Sequence, residues 1–356
     1  MKNKKSKLSI LLIALLVLYI ILAFTPLSTE LQLTPEWTFD ITEQSTTSTS
    51  SLNVLPFRLG QNAGYFTHDG KIAFIKNFDY KTTISSSYMI PYSKTSTEFD
   101  VYNTQGEVCA TISRGGFPYV AGDKIFVMLP GGSGFDYVDL AGNSLTRHFH
   151  TSPITAFNSG KNLTIAGYAD GTLCTFDKNM VEQYTLTPGG SDTEVILGAN
   201  VSPEGNYFAC VSGQNNQRFV LYKNEANHAK IVYHRYLKKS IVHQTLVYFS
   251  NDESTVYYND ATGVGIVNIE KSRYSHIDIP GTILNIQESP VAESVYILSK
   301  KRERSHNIYT ITILEKKSHK TSSFSFEAES AFILTDENSL FIGKDSKISK
   351  LVISKE

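Results

Sequence analysis

Hydrophobic and polar positions divide this chain into two regimes. Residues 8–24 form an unbroken apolar run, Leu8-Ser-Ile-Leu-Leu-Ile-Ala-Leu-Leu-Val-Leu-Tyr-Ile-Ile-Leu-Ala-Phe24, relieved only by Ser9 and Tyr19. From Phe57 onward the apolar residues come instead as short runs of Val, Ile, Tyr, Phe and Thr, broken by Gly, Asn, Asp and Pro. The first pattern lacks the polar stripe of an amphipathic soluble helix. The second is that of β-strands joined by tight turns, with almost no helical periodicity.

The apolar run follows Lys2, Lys4, Lys5 and Lys7, and the next charge after it is Glu30. Its Leu, Ile, Val and Phe residues favour insertion into a bilayer by about 4 to 8 kcal/mol in total. One N-terminal transmembrane helix is therefore expected. Residues 1–25 would be a cytoplasmic basic end plus membrane anchor, touching lipid through residues 8–24. Basic residues stay on the cytoplasmic side. The expected location is the cytoplasmic (inner) membrane, single-pass, with the N-terminus inside and the rest on the periplasmic or extracellular side. The run is intermediate between a signal-peptide core and a full span. Ala23-Phe-Thr25 followed by Pro26 is a poor cleavage site, which favours retention. A lipid anchor is not expected, because Cys109, Cys174 and Cys210 all lie far beyond the apolar core.

Self-comparison of the remainder shows a unit of about forty residues. A clear copy begins Pro153-Ile-Thr-Ala-Phe-Asn-Ser-Gly-Lys-Asn-Leu-Thr-Ile-Ala-Gly-Tyr-Ala-Asp-Gly-Thr-Leu-Cys-Thr-Phe-Asp177 and closes with Glu182-Gln-Tyr-Thr-Leu186. It reads as four strands, with Gly and Asn supplying the positive φ of the hairpins. Ile196–Val211 followed by Arg218-Phe-Val-Leu-Tyr222 repeats it, as does Thr245–Tyr258 followed by Gly265-Ile-Val-Asn-Ile269.

Ser202-Pro-Glu-Gly-Asn206, between a first and a second strand, resembles the S-P-D-G-x turn of β-propellers of the WD-repeat and YVTN-like classes. The Gly-His and Trp-Asp dipeptides of a true WD repeat are absent, and Trp37 is the sole tryptophan. The resemblance implies an all-β fold, a single β-propeller over residues 54–356. Seven four-stranded blades are expected, near 57–113, 115–150, 152–190, 193–240, 243–280, 282–326 and 327–356. The last unit holds only three strands. Glu36-Trp-Thr-Phe-Asp-Ile41, in the otherwise linker-like stretch 26–53, has strand composition and is expected to supply the fourth, removing a bare sheet edge.

Charge and composition narrow the function. Omitting residues 1–25 removes four lysines and no acid, which takes the net charge from −1 to about −5. That argues against nucleic acid as a partner. The basic clusters Lys300-Lys-Arg302/Arg304 and Arg235/Lys238/Lys239 are expected to be solvated loops. Three cysteines without a C-x-x-C spacing are too few for a disulfide scaffold and are expected to be buried and free. No G-x-S-x-G elbow, P-loop or calcium loop occurs. Gly131-Gly-Ser-Gly134 and Gly189-Gly-Ser191 read as hairpin turns. His148-Phe-His150 places two imidazoles on one strand face with no third ligand in view, so an exposed strand face is expected rather than a metal site. No cofactor, metal or small-molecule ligand is expected, and no catalytic residue is identified.

The longest interruption of the repeat is Asn77–Thr97, read as an insertion in the first blade. Its Tyr80, Tyr88, Met89, Ile90 and Tyr92 form a candidate partner-binding loop. Tyr233, Arg235 and Tyr236 form a second. The expected function is a membrane-tethered extracytoplasmic platform for protein–protein interaction, without catalysis, whose partner is an envelope or periplasmic protein. The alternative is an exported propeller enzyme, carbohydrate-active or lactonase-like, with a site in the central channel. That alternative needs Asp, Glu or His on the first strands, and Ile154-Thr-Ala-Phe157, Ile196-Leu-Gly-Ala199 and Leu246-Val-Tyr-Phe249 carry none.

Overall fold

The computed structural model describes residues 13, 15–19, 31–43, 53–226, 228–289, 291 and 293–355. Among them the strands form eight antiparallel sheets, seven with four strands and one with three. They follow one another along the chain as blades one to eight: 54–77, 81–113, 117–149, 154–186, 196–236, 247–278, 282–327 and 331–355, the last completed by Leu31–Asp40.

The count of seven expected from the sequence is therefore corrected to eight. The stretch 57–113 contains two blades. Blade one stops at three strands, and blade two opens with Lys81–Ile84 and Met89–Tyr92, each only four residues long. Pro91 occupies the second of these, and a single pair, Met89 with Tyr102, joins it to the third strand. Strands so short, one interrupted by a residue without an N–H, carry no legible alternation. Asn77–Thr97 thus runs from the end of blade one through the inner half of blade two and is not an insertion. The uncapped third strand of blade one is covered by blade two, where Tyr102 stacks on Phe74 at 5.7 Å and Lys76 reaches its ring at 4.7 Å.

The expected transmembrane helix is also corrected. Residues 13 and 15–19 are helical and exposed. Among the described residues no helix is long and apolar enough to cross a membrane. The other positions of 8–24 lie outside the described residues.

Burial explains the sequence pattern of each blade. The two middle strands touch neighbouring blades on both faces and read as continuous apolar text; Leu163–Tyr168 is buried at every position. Outer strands face solvent, as Thr321–Glu327 does almost throughout. Between each pair of neighbouring blades lies one apolar cluster. Blades five and six share Val211, Phe219, Val256 and Tyr258, whose ring stacks on Phe219 at 3.9 Å. Blades eight and one share Phe57, Phe66, Phe341 and Ile348.

Leu31–Asp40 is the outer strand of blade eight, antiparallel to Lys347–Lys355 with a bulge between Pro35 and Trp37. Sequence reading places residues 36–41 in this position; the strand begins five residues earlier. Lys350 Nζ lies 2.8 Å from Glu36 Oε2, and the Thr38 and Ser349 hydroxyls are 2.8 Å apart.

Candidate functional site

The first strand of each blade is hydrogen-bonded on one side only, and its free edge borders a central channel. Ile154–Ser159 shows the consequence, being half-buried at every position. The channel holds a cavity of about 890 Å³ lined mainly by the first strands of blades three to seven and by residues of blade two.

Its lining is uneven. From blades two to four come aromatic rings: Tyr80, Tyr92, Phe117, Tyr119 and Phe157. Tyr80 meets Tyr92 edge-on at 6.1 Å, Tyr92 lies 6.0 Å from Phe117, and Tyr119 meets Phe157 edge-on at 5.4 Å. Phe117 is 41% exposed. From blades five to seven come small and amide side chains: Gly198, Ala199, Asn200, Gln244 and Asn285, with Tyr248 among them. Among the described residues the lining contains one charged side chain, Lys81.

The amides do two jobs. Asn200 Nδ2 donates to the Val247 carbonyl at 2.7 Å, and Asn285 Nδ2 donates to the Ile333 carbonyl at 3.2 Å, each clamping its blade to the next. Gln244 Nε2 crosses to the Thr155 carbonyl at 2.8 Å. Asn158 makes no side-chain hydrogen bond among the described residues, and its amide faces the channel. Burial pushes the Tyr248 phenol up to about 12, and burial raises Tyr119 and, with the neighbouring Tyr80, Tyr92. These phenols stay protonated at neutral pH. The wall can therefore donate hydrogen bonds and offer ring faces.

The structure divides the sequence-predicted binding residues. Tyr80 and Tyr92 line the cavity. Met89 and Ile90 are core residues, 1% and 0% exposed, and Tyr88 packs against the cluster joining blades two and three. Met89 and Ile90 thus present no surface to a partner, while Tyr88 is half-buried. Tyr233 packs on the core between blades five and six, and Arg235 lies 3.8 Å over the ring of Tyr274 in the neighbouring blade. Tyr236 is 50% exposed on the outer strand, remote from the channel. Sequence reasoning missed Phe117, Tyr119 and Phe157. The Phe-Pro-Tyr of 117–119 was the available signal: two aromatics two apart on one face of an innermost strand.

The histidine pair is bound, not exposed. His148 Nε2 meets the Met180 carbonyl at 2.8 Å and His150 Nε2 meets Asp170 at 2.7 Å. Among the described residues no group of three His, Cys, Asp or Glu could hold a metal ion. Cys174 and Cys210 are buried and free, whereas Cys109 is free and exposed, contrary to the sequence expectation.

Leu31–Asp40 and Lys347–Lys355 close a ring of eight radial sheets, and a family model described as beta-propeller protein matches residues 1–355. The chain belongs to that family. An uncharacterized protein of Treponema pallidum (strain Nichols) is 26% identical over 349 residues, covering 95% of this chain and 92% of its own length. Among solved structures, BamB from Moraxella catarrhalis superposes with a TM-score of 0.60 at 12% identity, covering 90% of this chain and 100% of its own. Sqt1 of Saccharomyces cerevisiae gives 0.59 at 11% identity, covering 83% and 91% respectively. At such identities these likenesses establish the fold.

Proposed function

We propose that this propeller is a binding disc without chemistry of its own, which takes a segment of a partner protein at the aromatic mouth of its channel. The observation that carries this is the cluster Tyr80, Tyr92, Phe117, Tyr119 and Phe157 around an open cavity whose lining has neither carboxylate nor imidazole among the described residues. Aromatic side chains are the usual anchors of protein interfaces, because they bury much area at little entropic cost. Lys81 and Lys94, whose ammonium groups lie 5.3 and 5.4 Å from the Tyr80 ring, suit a segment that carries an acidic side chain beside its apolar ones. The basic-then-apolar residues 2–24 support work on the far side of the cytoplasmic membrane.

Photo-crosslinking tests this. A photoreactive phenylalanine at position 117 should yield a discrete adduct with a partner polypeptide, and the same group at Phe324 on the outer rim should not. Phe117→Ala combined with Tyr92→Ala should abolish that adduct from a reporter at Tyr80 while leaving the melting temperature close to that of the parent. No adduct from the mouth, or equal adducts from mouth and rim, would overturn the proposal.

A further inference from the structure

A second cavity, of about 510 Å³, opens between blades six and seven, away from the channel. Lys271, Arg273, Lys316, Lys317 and His319 line it, and among the described residues no carboxylate does. In a chain whose acids slightly outnumber its bases, four permanent cations and an imidazole around one cleft are a local excess.

The turns that carry them are held firmly. In blade seven, Glu315 N donates to the Lys320 carbonyl at 3.0 Å, His319 N to the Glu315 carbonyl at 3.0 Å, and Lys316 N to the Glu293 carbonyl at 3.0 Å. In blade six, Lys271 N donates to Asn268 Oδ1 at 2.9 Å. The acids facing the cluster neutralise only part of it. Buried Glu288 holds Lys316, with Asp252 nearby, and Glu293 Oε2 lies 2.8 Å from Lys317 Nζ. The latter pair is largely in solvent, its side chains 81% and 49% exposed, so exchanging its carboxylate for another oxyanion costs little. Lys271 and Arg273 have no acidic partner within 4.0 Å among the described residues. Ser275 and Asn268 add neutral polar groups to the same wall.

We infer that this cleft is a binding site for a phosphate-type oxyanion, with Arg273 as its planar two-pronged donor and Lys271 and Lys317 as point charges. The site lies beside the turns joining first to second and third to fourth strands, opposite the aromatic mouth. The polypeptide also enters blade eight on that face, since Leu31 pairs with Lys355 at the end of a third strand. A phosphate borne by a lipid headgroup and a free phosphorylated molecule share the required chemistry.

The test uses two probes on the full chain. Inorganic pyrophosphate is titrated calorimetrically, and sedimentation is measured with vesicles of phosphatidylglycerol and phosphatidylcholine in equal parts against vesicles of phosphatidylcholine alone. Arg273→Gln should weaken binding about tenfold and Lys271→Gln by a similar factor, the usual worth of one charge-assisted contact. Lys178→Gln, on an exposed turn of blade four, should change nothing. Pyrophosphate binding lost in the cleft variants supports a free phosphate; binding only to anionic vesicles, lost in the same variants, supports a headgroup. Absence of binding to either probe, or an equal loss in Lys178→Gln, or no loss in the cleft variants, overturns the site. Circular dichroism confirms that each variant keeps the parent's melting temperature. Because none of these side chains touches the channel mouth, the result is independent of the crosslinking experiment.

Discussion

The indole of Trp37, in the closing strand, covers the backbone of Gly70 in blade one so closely that a Cβ there would stand 3.1 Å from the ring. Gly70 has φ of +81°, so a side chain at this point meets both strain and collision. Trp37 also lies 5.3 Å from Phe39 and 5.9 Å from Phe341, and its Nε1 is buried without a hydrogen-bond partner. Gly70→Ala should therefore destabilise by more than about 1 kcal/mol. Trp37→Ala should cost about 3 kcal/mol, and Trp37→Phe under about 1.5 kcal/mol because it deletes the unpaired donor while keeping a ring. Urea denaturation followed by circular dichroism ranks the three.

Ser202-Pro-Glu-Gly-Asn206 and Ser250-Asn-Asp-Glu-Ser254 are the same turn in successive blades. Gly205 has φ of +81° in one, and Glu253 sits at +55° in the other. The unfavourable backbone is held because Glu253 accepts hydrogen bonds from Glu204 N at 2.8 Å and Asn206 Nδ2 at 2.6 Å, tying blade six to blade five. Glu253→Gly relaxes the backbone but loses both bonds, and should lower stability by about 1 to 2 kcal/mol. Glu253→Gln should cost about half as much. A thermal melt in which Glu253→Gly gained stability would remove the carboxylate's role as a clasp.

Thiol chemistry should separate the cysteines. Cys210 is buried, which pushes its thiol up to about 12, and burial likewise raises Cys174. A thiol needs both its thiolate and access to react. Titration of the native protein with an aromatic disulfide reagent should modify one thiol per chain, Cys109, and all three after unfolding.

Acid should weaken the 250–254 turn. Burial raises the Asp252 carboxyl, but hydrogen bonds from Ser250 and Ser254 outweigh it and hold the pKa at about 2 instead of 3.8. A folded pKa below the unfolded one means the ionised carboxylate stabilises the fold above about 3.8, and that contribution disappears as pH falls through about 2. Asp252→Asn should thus melt below the parent at neutral pH, with the difference closing toward pH 2. A gap constant across that range would show that Asp252 acts through packing alone.

Legibility in the sequence followed strand length and burial. From Phe117 onward the repeat unit matched the blades, because middle strands such as Leu163–Tyr168 are buried on both faces and stand out as apolar blocks. Blade two was invisible, since four-residue strands containing Pro91 have neither length nor alternation, and its buried Met89 and Ile90 were read as a sticky loop. Tyr80 and Tyr92 read in the sequence as part of an insertion, whereas Tyr92 lines the cavity from a strand of blade two and Tyr80 from the link that precedes it. Phe117 and Tyr119 went unnoticed because an inner strand that faces a cavity has the same composition as one that faces a core. The basic cleft joins turns of two blades, Lys271 and Arg273 with Lys316 and Lys317, and only the ring brings them together.

Pairing of Leu31–Asp40 with Lys347–Lys355 also sets an order on biosynthesis. The strand that seals the ring is made before the seven blades that follow it, and its partner is made after them. Until Lys347–Lys355 has been made, blade eight cannot be completed, and the waiting strand presents an unpaired edge that invites mispairing. The nascent chain has to keep its first strand idle through the synthesis of seven blades. Removing Lys347–Lys355 alone would therefore leave not a slightly smaller disc but an open arc with two exposed ends.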